Sequence, residues 1–535
     1  MKKFVTLLLV LFPLLLSAQP ADREAVLQLQ KLNRFFRLLM TSYVDTMDYE
    51  KVVESGIKNM LLELDPHSTY ASPEEMEEMM GDFEGSFAGV GVEYDLLNDT
   101  LIVVNTIGGG PADQAGVLPN DRIVAVDDQP IVGMNRVEIA DRLRGETGTD
   151  VRLQIVRRDE SQPLEFLVTR GEIPITTIDL AYRVSDRIGY VIINRFARNT
   201  VEEFLQAIDS MSGIEGVILD LRDNGGGLFE SAIELSECFL RKGDRITYTE
   251  GKRVSPVLYT AQRDGVLADK KLVLMINESS ASASELVAGA IQDWDRGILV
   301  GRTTFGKGLV QRLFPLPDGS AIRLTMARYH TPVGRVIQRP FKQGGKDEYY
   351  TAYINRLAEG TDSIPADAPV YQTLRSGREV FGGGSIRPDI ELAPDTLDYD
   401  FWAKIIRVGA LRQYTVSYLD QHRKELEERY PDFESFKQDF VCDEAMLQEF
   451  ISFVQESYDV TLEPEVVERS KEELGLVLKS IIAQKIWSDW AYYRIVAETM
   501  DREFHQAVAI MERWLDSPEE VVTDSLIHRI SESVR

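Results

Sequence analysis

Between Ile188 and Gly301 the chain alternates short apolar runs with amphipathic stretches, and that alternation admits few architectures. RIGYVIINRF reads as a strand, NTVEEFLQAIDSM as a helix and GVILDLR as a strand with few polar breaks. A glycine loop, DNGGG, then opens a helix near Leu228, and LVLMI, SELVAGAIQ and GILVG continue as strand, helix and strand. Strands without a polar face, separated by helices, predict a largely parallel sheet with crossover helices. AIRLTMARYH is expected to complete that sheet. Two chemically distinctive segments interrupt it. INESSASASELVAGAIQ sets serines among alanines at a helix start, and TTFGKGLVQ sets a lysine between two glycines.

A chain of 535 residues exceeds one ordinary core and is expected to hold several domains. Its 44% hydrophobic and 27% charged content is that of a folded protein. A net charge of -28 disfavours nucleic acid as a partner, because phosphate binding needs clustered cations. The opening MKKFVTLLLVLFPLLLSAQ has basic residues, an apolar run and small residues before Gln19, the layout of a secretory signal over residues 1–18 that is removed after Ala18. Export, to a bacterial periplasm, is the expectation, with no stable membrane insertion afterwards. Cys238 and Cys442 are the two cysteines. Cys238 lies in an apolar helical pattern, which favours buried thiols over a disulfide.

Residues 19–82 show apolar positions at helical spacing, among them Leu32, Phe35, Phe36 and Leu39, and predict two or three helices. Ser72, Pro73 and Glu75 signal the start of the last of them. Over 83–172 the pattern changes to short β runs with glycine turns and one helix near Arg136–Arg144. This segment resembles a PDZ domain, with Gly89, Val90, Gly91 and Val92 in the place of the loop that binds a peptide's terminal carboxylate. Successive amides of such a loop can cradle that carboxylate while the adjoining strand pairs with the peptide. Residues 341–385, rich in Gly, Pro and charge, are expected to form surface excursions. From 399 to 535 helical patterns dominate, and Leu474, Leu478, Ile482, Ile486, Trp490 and Tyr493 are expected on one face of a single long helix, as core or oligomer contact.

Serine becomes a nucleophile when a base removes its proton, and that base is a histidine or a lysine kept neutral. Of five histidines, three lie in the C-terminal helical region, and only His67 and His330 come from segments that could border the α/β core. Lys307, between Gly306 and Gly308 directly after an apolar strand, is placed where lost hydration favours the neutral amine. Residue type alone leaves Ser280, Ser282 and Ser284 as equal candidates, each able instead to cap the helix.

The stretch SASASELVAG, with GRTTFGKGLVQ downstream, resembles the Ser/Lys signature of the C-terminal processing peptidases, a family with a PDZ domain inserted ahead of a crotonase-like α/β core. The resemblance extends over most of residues 25–395. It implies Ser282 as nucleophile, Lys307 as general base and Gln311 as the residue that orients the lysine. The family's D-L-R-x-N-P-G-G loop matches Asp220 to Gly227, and the resemblance implies an oxyanion hole formed by the amides of Ala283 and Gly226, with Gly227 the neighbouring choice. Gly225 stands where the family has proline.

Together with the helical patterns, the resemblance implies an α/β multidomain chain with N-terminal helices, a PDZ domain and a Ser/Lys peptidase cap and core over 173–398; the C-terminal helical domain over 399–535 lies outside the family's common core. With the export signal, it implies an exported serine endopeptidase that binds apolar C-terminal tails of proteins or peptides and cleaves near them, with no metal or cofactor. It implies nothing for the C-terminal helices, for which a homo-oligomer contact and the docking of a partner are the options. A non-catalytic tail-binding scaffold or chaperone is the alternative from a different class, and a hydrolase using His330 or His67 is a third.

Overall fold

The computed structural model describes residues 23–158, 160–359, 368–393, 399–458 and 460–534. The expected signal, residues 1–18, lies outside them. The chain divides into two compact units, 1–60 and 61–535. In the first, helix Arg23–Ser42 carries the expected apolar positions, and Phe36 meets Tyr49 edge-on with ring centroids 6.2 Å apart. Helix Tyr49–Leu62 follows it in the chain. In the second unit, helix Pro73–Glu84 starts as anticipated: Ser72 N–H donates to Glu75 Oε2 at 2.8 Å and Glu75 N–H to Ser72 Oγ at 3.2 Å.

The alternation from Ile188 onward folds as a six-stranded sheet in the order Ile178–Arg183, Ile188–Ile193, Gly216–Asp220, Lys271–Ile276, Ile298–Gly301 and Ile390–Glu391. Every pairing is parallel except the first. All five residues of Gly216–Asp220 are buried, as its unbroken apolar run requires. One face packs on helices Thr200–Ser210, Phe229–Glu237 and Ala283–Asp293 through Phe204, Leu235, Leu286 and Val287.

Ala321–His330 does not join this sheet. It pairs antiparallel with Leu309–Pro315, Thr69–Ala71 and Arg245–Gly251 in a second sheet. The cause is the short turn at Leu316–Ser320, closed by Leu316 N–H to Ser320 O at 2.7 Å, since a parallel return needs a much longer crossover.

The segment that resembles a PDZ domain forms the sheet Val92–Leu97, Thr100–Thr106, Arg122–Val126, Asp150–Val156 and Leu164–Thr169, with helix Arg136–Leu143. Leu101, Val103, Ile123, Ile139 and Leu153 fill its core.

The C-terminal helices divide between two cores. Residues from Phe401 to Ile495 build a helical core of their own around Phe436, Phe450, Leu474 and Leu478. Helix Arg502–Leu515 instead covers the second face of the parallel sheet with Phe504, Ile510, Met511 and Trp514. Gly216 is glycine for that reason: a Cβ there would lie 2.5 Å from Met511 Sδ. The single long helix expected across Leu474–Tyr493 is two, Pro464–Trp487 and Asp489–Thr499, broken at Ser488 (φ 118°). The break lets Tyr493 join the sheet's hydrophobic cluster beside the edge strand Ile178–Arg183 rather than continue the helical core. Cys238 and Cys442 are buried free thiols, each pushed up to about 12 by burial.

Candidate active site

In a parallel sheet the loops that leave the carboxyl ends of neighbouring strands meet, and this is where such folds place their chemistry. Gly216–Asp220 and Lys271–Ile276 are neighbours, with Asp220 opposite Met275, so the glycine loop and the serine cluster emerge side by side. They are sewn together. Asp223 N–H donates to Asn277 Oδ1 and Asn277 Nδ2 to Asp223 Oδ1, both at 3.0 Å, and Ala281 N–H donates to Asn224 O at 3.0 Å.

The three serines are not equivalent. Ser280 Oγ donates to Leu221 O at 2.7 Å and Ser284 Oγ to Asn224 O at 2.9 Å, and both residues are fully buried. Their hydroxyls hold the glycine loop. Ser282, half-buried between them, stands at the helix start with φ 56° and ψ −107°, a conformation that non-glycine residues adopt only where the surroundings enforce it. Strain of this kind presents a serine at a sharp strand-to-helix turn.

Glu285 is part of the enforcement. This wholly buried carboxylate accepts four hydrogen bonds: Oε2 from Ser282 N–H (2.9 Å) and Lys307 N–H (2.7 Å), Oε1 from Gly306 N–H (2.7 Å) and the Thr304 hydroxyl (2.5 Å). Burial raises its pKa, and the Thr304 hydroxyl and the three amides oppose that rise. Tyr329 adds a second tie, its hydroxyl lying 2.7 Å from both the Ser282 and the Lys307 carbonyls. The backbone of the serine turn and that of the lysine loop are therefore held by shared groups.

Lys307 is half-buried, with its pKa lowered to about 8. Burial is the main cause, the Arg323 guanidinium adds to it, and Glu285 and Asp65 oppose it. Among the described residues no hydrogen bond joins Lys307 Nζ to Ser282 Oγ or to Gln311. The Gln311 amide donates to the His67 carbonyl at 2.7 Å.

His67 belongs to the segment that holds this side of the site. Asp65 accepts the His67 and Ser68 amides at 2.9 Å, and Thr325 Oγ1 donates to it at 3.2 Å. Burial, then Lys307, lowers the His67 pKa to about 4, so the ring is neutral near pH 7. Its Nε2 meets the Tyr349 hydroxyl at 3.3 Å. His330 stacks on Tyr248 at 4.4 Å, with Nδ1 3.4 Å from Gly334 O. Among the described residues neither histidine bonds Ser282. Tyr349 itself lies in the region expected to be a surface excursion, yet it is buried against Phe305 and His67.

Ala283 is in the first turn of its helix, where amides lack intrahelical acceptors. Gly226 stands beside it: a Cβ on Gly226 would lie 2.8 Å from Ser282 Cβ and 3.0 Å from Ala283 N. In this structure the Gly226 amide donates to Asn224 Oδ1 at 2.9 Å. Gly227 is also constrained, because a Cβ there would meet Phe196 O at 2.0 Å.

One further set of groups was not legible in the linear pattern. Arg222 binds Asp220 beneath the glycine loop, and also Asp501 (2.5 Å) and Glu503 (2.9 Å) at the start of helix Arg502–Leu515. Tyr190 donates to Asp220 at 2.7 Å. The C-terminal helices thereby brace the loop from below.

The second candidate site is the loop of the smaller domain. Gly89 ends a strand paired with Gly171, Val90 is buried, Gly91 turns with φ 74°, and Val92 begins the strand Val92–Leu97. A Cβ on Gly91 would lie 2.9 Å from Ile173 Cδ1, so the turn is built for glycine.

The α/β core, with its strained serine turn tied to a buried lysine loop, is that of a serine-type peptidase, and the model of peptidase family S41 matches residues 187–344. The PDZ domain model matches 103–157, and a family of unknown function matches 401–488. The chain is 38% identical over 324 residues to a carboxy-terminal-processing protease of Bartonella bacilliformis, covering 59% of this chain and 74% of that one. It is 35% identical over 348 residues to a carboxyl-terminal-processing protease of Synechocystis, covering 59% and 81%. The chain belongs to the carboxy-terminal processing proteases of peptidase family S41.

Proposed function

We propose that this protease is an exported endopeptidase that binds the C-terminal tails of its substrates at its PDZ domain and cleaves near them with a Ser282–Lys307 dyad. The observation that carries the reading is the division of labour among the serines: Ser280 and Ser284 are spent on backbone carbonyls, and Ser282 is held on a strained turn tied through Glu285 to the lysine loop. Neutral Lys307 removes the Ser282 proton as Oγ attacks the scissile carbonyl. The Ala283 amide donates to the developing oxyanion, and the Gly226 amide joins it by exchanging Asn224 Oδ1 for that oxygen. Lys307 then protonates the leaving amine, and water releases the acyl group by the reverse path. Gln311 acts by turning from the His67 carbonyl to the lysine amine when substrate closes the site, since catalytic hydrogen bonds commonly tighten only in the complex. The Gly89–Val92 loop holds the tail's terminal carboxylate, and apolar tail residues line the adjoining groove.

The apolar N-terminal run supports export. Among the described residues no helix is long and apolar enough to cross a membrane. Dimerisation through the C-terminal helices remains part of the proposal and is read by light scattering of the full chain.

The test is to incubate the chain with unfolded substrates bearing apolar C-termini and to compare product termini by mass spectrometry with those from Ser282→Ala and Lys307→Ala. Both variants are expected to give no specific products, and cleavage equal to the parent's would overturn the dyad. A second expectation concerns pH. Because the base must be neutral, kcat/KM for a short peptide rises with pH through an apparent pKa of about 8. Arg323→Gln removes a cation that disfavours protonated Lys307, so the limb moves to higher pH. An unmoved limb would show that Lys307 is not the titrating base.

A further inference from the structure

Strand Val92–Leu97 lies at the edge of its sheet, paired with Thr100–Thr106 on one side. An edge strand offers alternate amides and carbonyls outward, and an extended peptide adds to it there. The two-residue turn at Asn98 (φ 50°) and Asp99 (φ 57°) makes Leu97 and Thr100 the closing hydrogen-bonded pair. Counting back, Asp95 also bonds inward, whereas Leu96, Tyr94 and Val92 turn their backbone groups outward.

At Leu96 the outward groups are already taken. Asp95 Oδ1 accepts the Leu96 amide at 2.8 Å, and Gln413, on helix Ala410–Arg429, donates from Nε2 to the Leu96 carbonyl at 2.9 Å. Asp95 is fully buried and is held by Arg136 at the start of the domain's helix and by Arg412 beside Gln413. The Tyr94 hydroxyl donates to the Arg136 carbonyl at 3.0 Å, bridging edge strand and helix at the same end. The C-terminal helix is fixed on the domain by the Arg122–Asp420 ion pair (2.8 Å), by Arg158 on the Asp420 carbonyl (2.7 Å) and by Arg423 on the Val104 carbonyl (3.1 Å).

We propose that helix Ala410–Arg429 ends the tail-binding edge at Leu96, so that the PDZ domain reads only about the last four residues of a free C-terminal tail. The proposal rests on the reading that Gly89–Val92 holds the terminal carboxylate. In an extended pairing each outward strand position serves every second tail residue. Val92 then serves the last residue and Tyr94 the third from the end. The fifth would need Leu96, where Gln413 and Asp95 stand in its place. The ligand is thus a short extended end with a free carboxylate, and a longer β segment gains nothing from its additional residues.

The experiment measures binding of four-, six- and eight-residue fluorescent peptides with one shared apolar C-terminal sequence to the full chain, in a Ser282→Ala background. The parent is expected to bind all three within about twofold. Arg412→Ala with Gln413→Ala is expected to bind the eight-residue peptide about fivefold tighter than the four-residue one, from the hydrogen bond that the freed Leu96 carbonyl accepts from the longer tail. Gln413→Glu, which sets a carboxylate against the Leu96 carbonyl and leaves the rest of the helix unchanged, should move affinity in the same direction if the double variant folds poorly. Affinity that climbs with length equally in parent and variants, or stays flat in all, would overturn the proposal. Amidated peptides separate the two readings: if they bind as tightly as free acids, the carboxylate loop is misassigned whatever the length dependence.

Discussion

Replacing Glu285 by alanine is expected to lower kcat/KM by at least about 100-fold, the scale of a displacement near 1 Å in a positioned catalytic group. It deletes the acceptor of four buried donors, among them the amides of both Ser282 and Lys307. Each buried donor left without a partner costs about 1–3 kcal/mol, so the variant should also unfold at markedly lower denaturant concentration. Glu285→Gln keeps one acceptor oxygen at the same place and should recover part of both losses. Kinetics and denaturant unfolding on the three proteins check this. A fully active Glu285→Ala enzyme would mean that the shared carboxylate does not set the geometry of serine turn and lysine loop.

The second large effect is expected at Gly226. An alanine methyl would press on the Ala281 carbonyl and on Ser282 Cβ, both at 2.8 Å, from a backbone at φ 103° that side chains disfavour. Neither neighbour can retreat, because Ala281 is tied to Asn224 and Ser282 to Glu285. The loss should fall on kcat, by about 100-fold or more, with KM little changed, since what moves is the attacking oxygen and its oxyanion donors. Gly225→Ala is the control: nothing lies within 4 Å of its Cβ position, so it should remain active. Equal activity of the two variants would show that the close approach at Gly226 has no bearing on the reaction.

The parallel sheet was legible because its signal is local: the strands Ile188–Ile193, Gly216–Asp220 and Lys271–Ile276 are apolar on both faces, and each leads through a short loop into a helix. The helix start at Ser72 was legible for the same reason. What distinguishes Ser282 from Ser280 and Ser284 was not, because their partners, the Leu221 and Asn224 carbonyls, come from a loop far away in sequence. Nothing in the linear pattern singles out Glu285, and only its meeting with Thr304, Gly306 and Lys307 shows what it holds. The strand Ala321–His330 was expected in the parallel sheet although it carries Arg323, Thr325 and Arg328, and the short turn before it places it in the other sheet. Tyr349, in a stretch whose composition suggested surface, is buried by His67 and Phe305 from two distant segments and by Phe341 from its own. At the C-terminus one helical periodicity hid two destinations, which the break at Ser488 separates.

In the proposed reaction Ser282 is the nucleophile and neutral Lys307 its base. This assignment is tested most directly by a phosphonylating reagent that adds to activated serines, with the labelling rate followed by intact mass and the site mapped by peptide mass spectrometry. One adduct is expected, on Ser282, with a rate that rises through about pH 8 and falls by at least about 100-fold in Lys307→Ala, the lower end of what general-base assistance supplies. An adduct on another serine, or an unchanged labelling rate in Lys307→Ala, would contradict it.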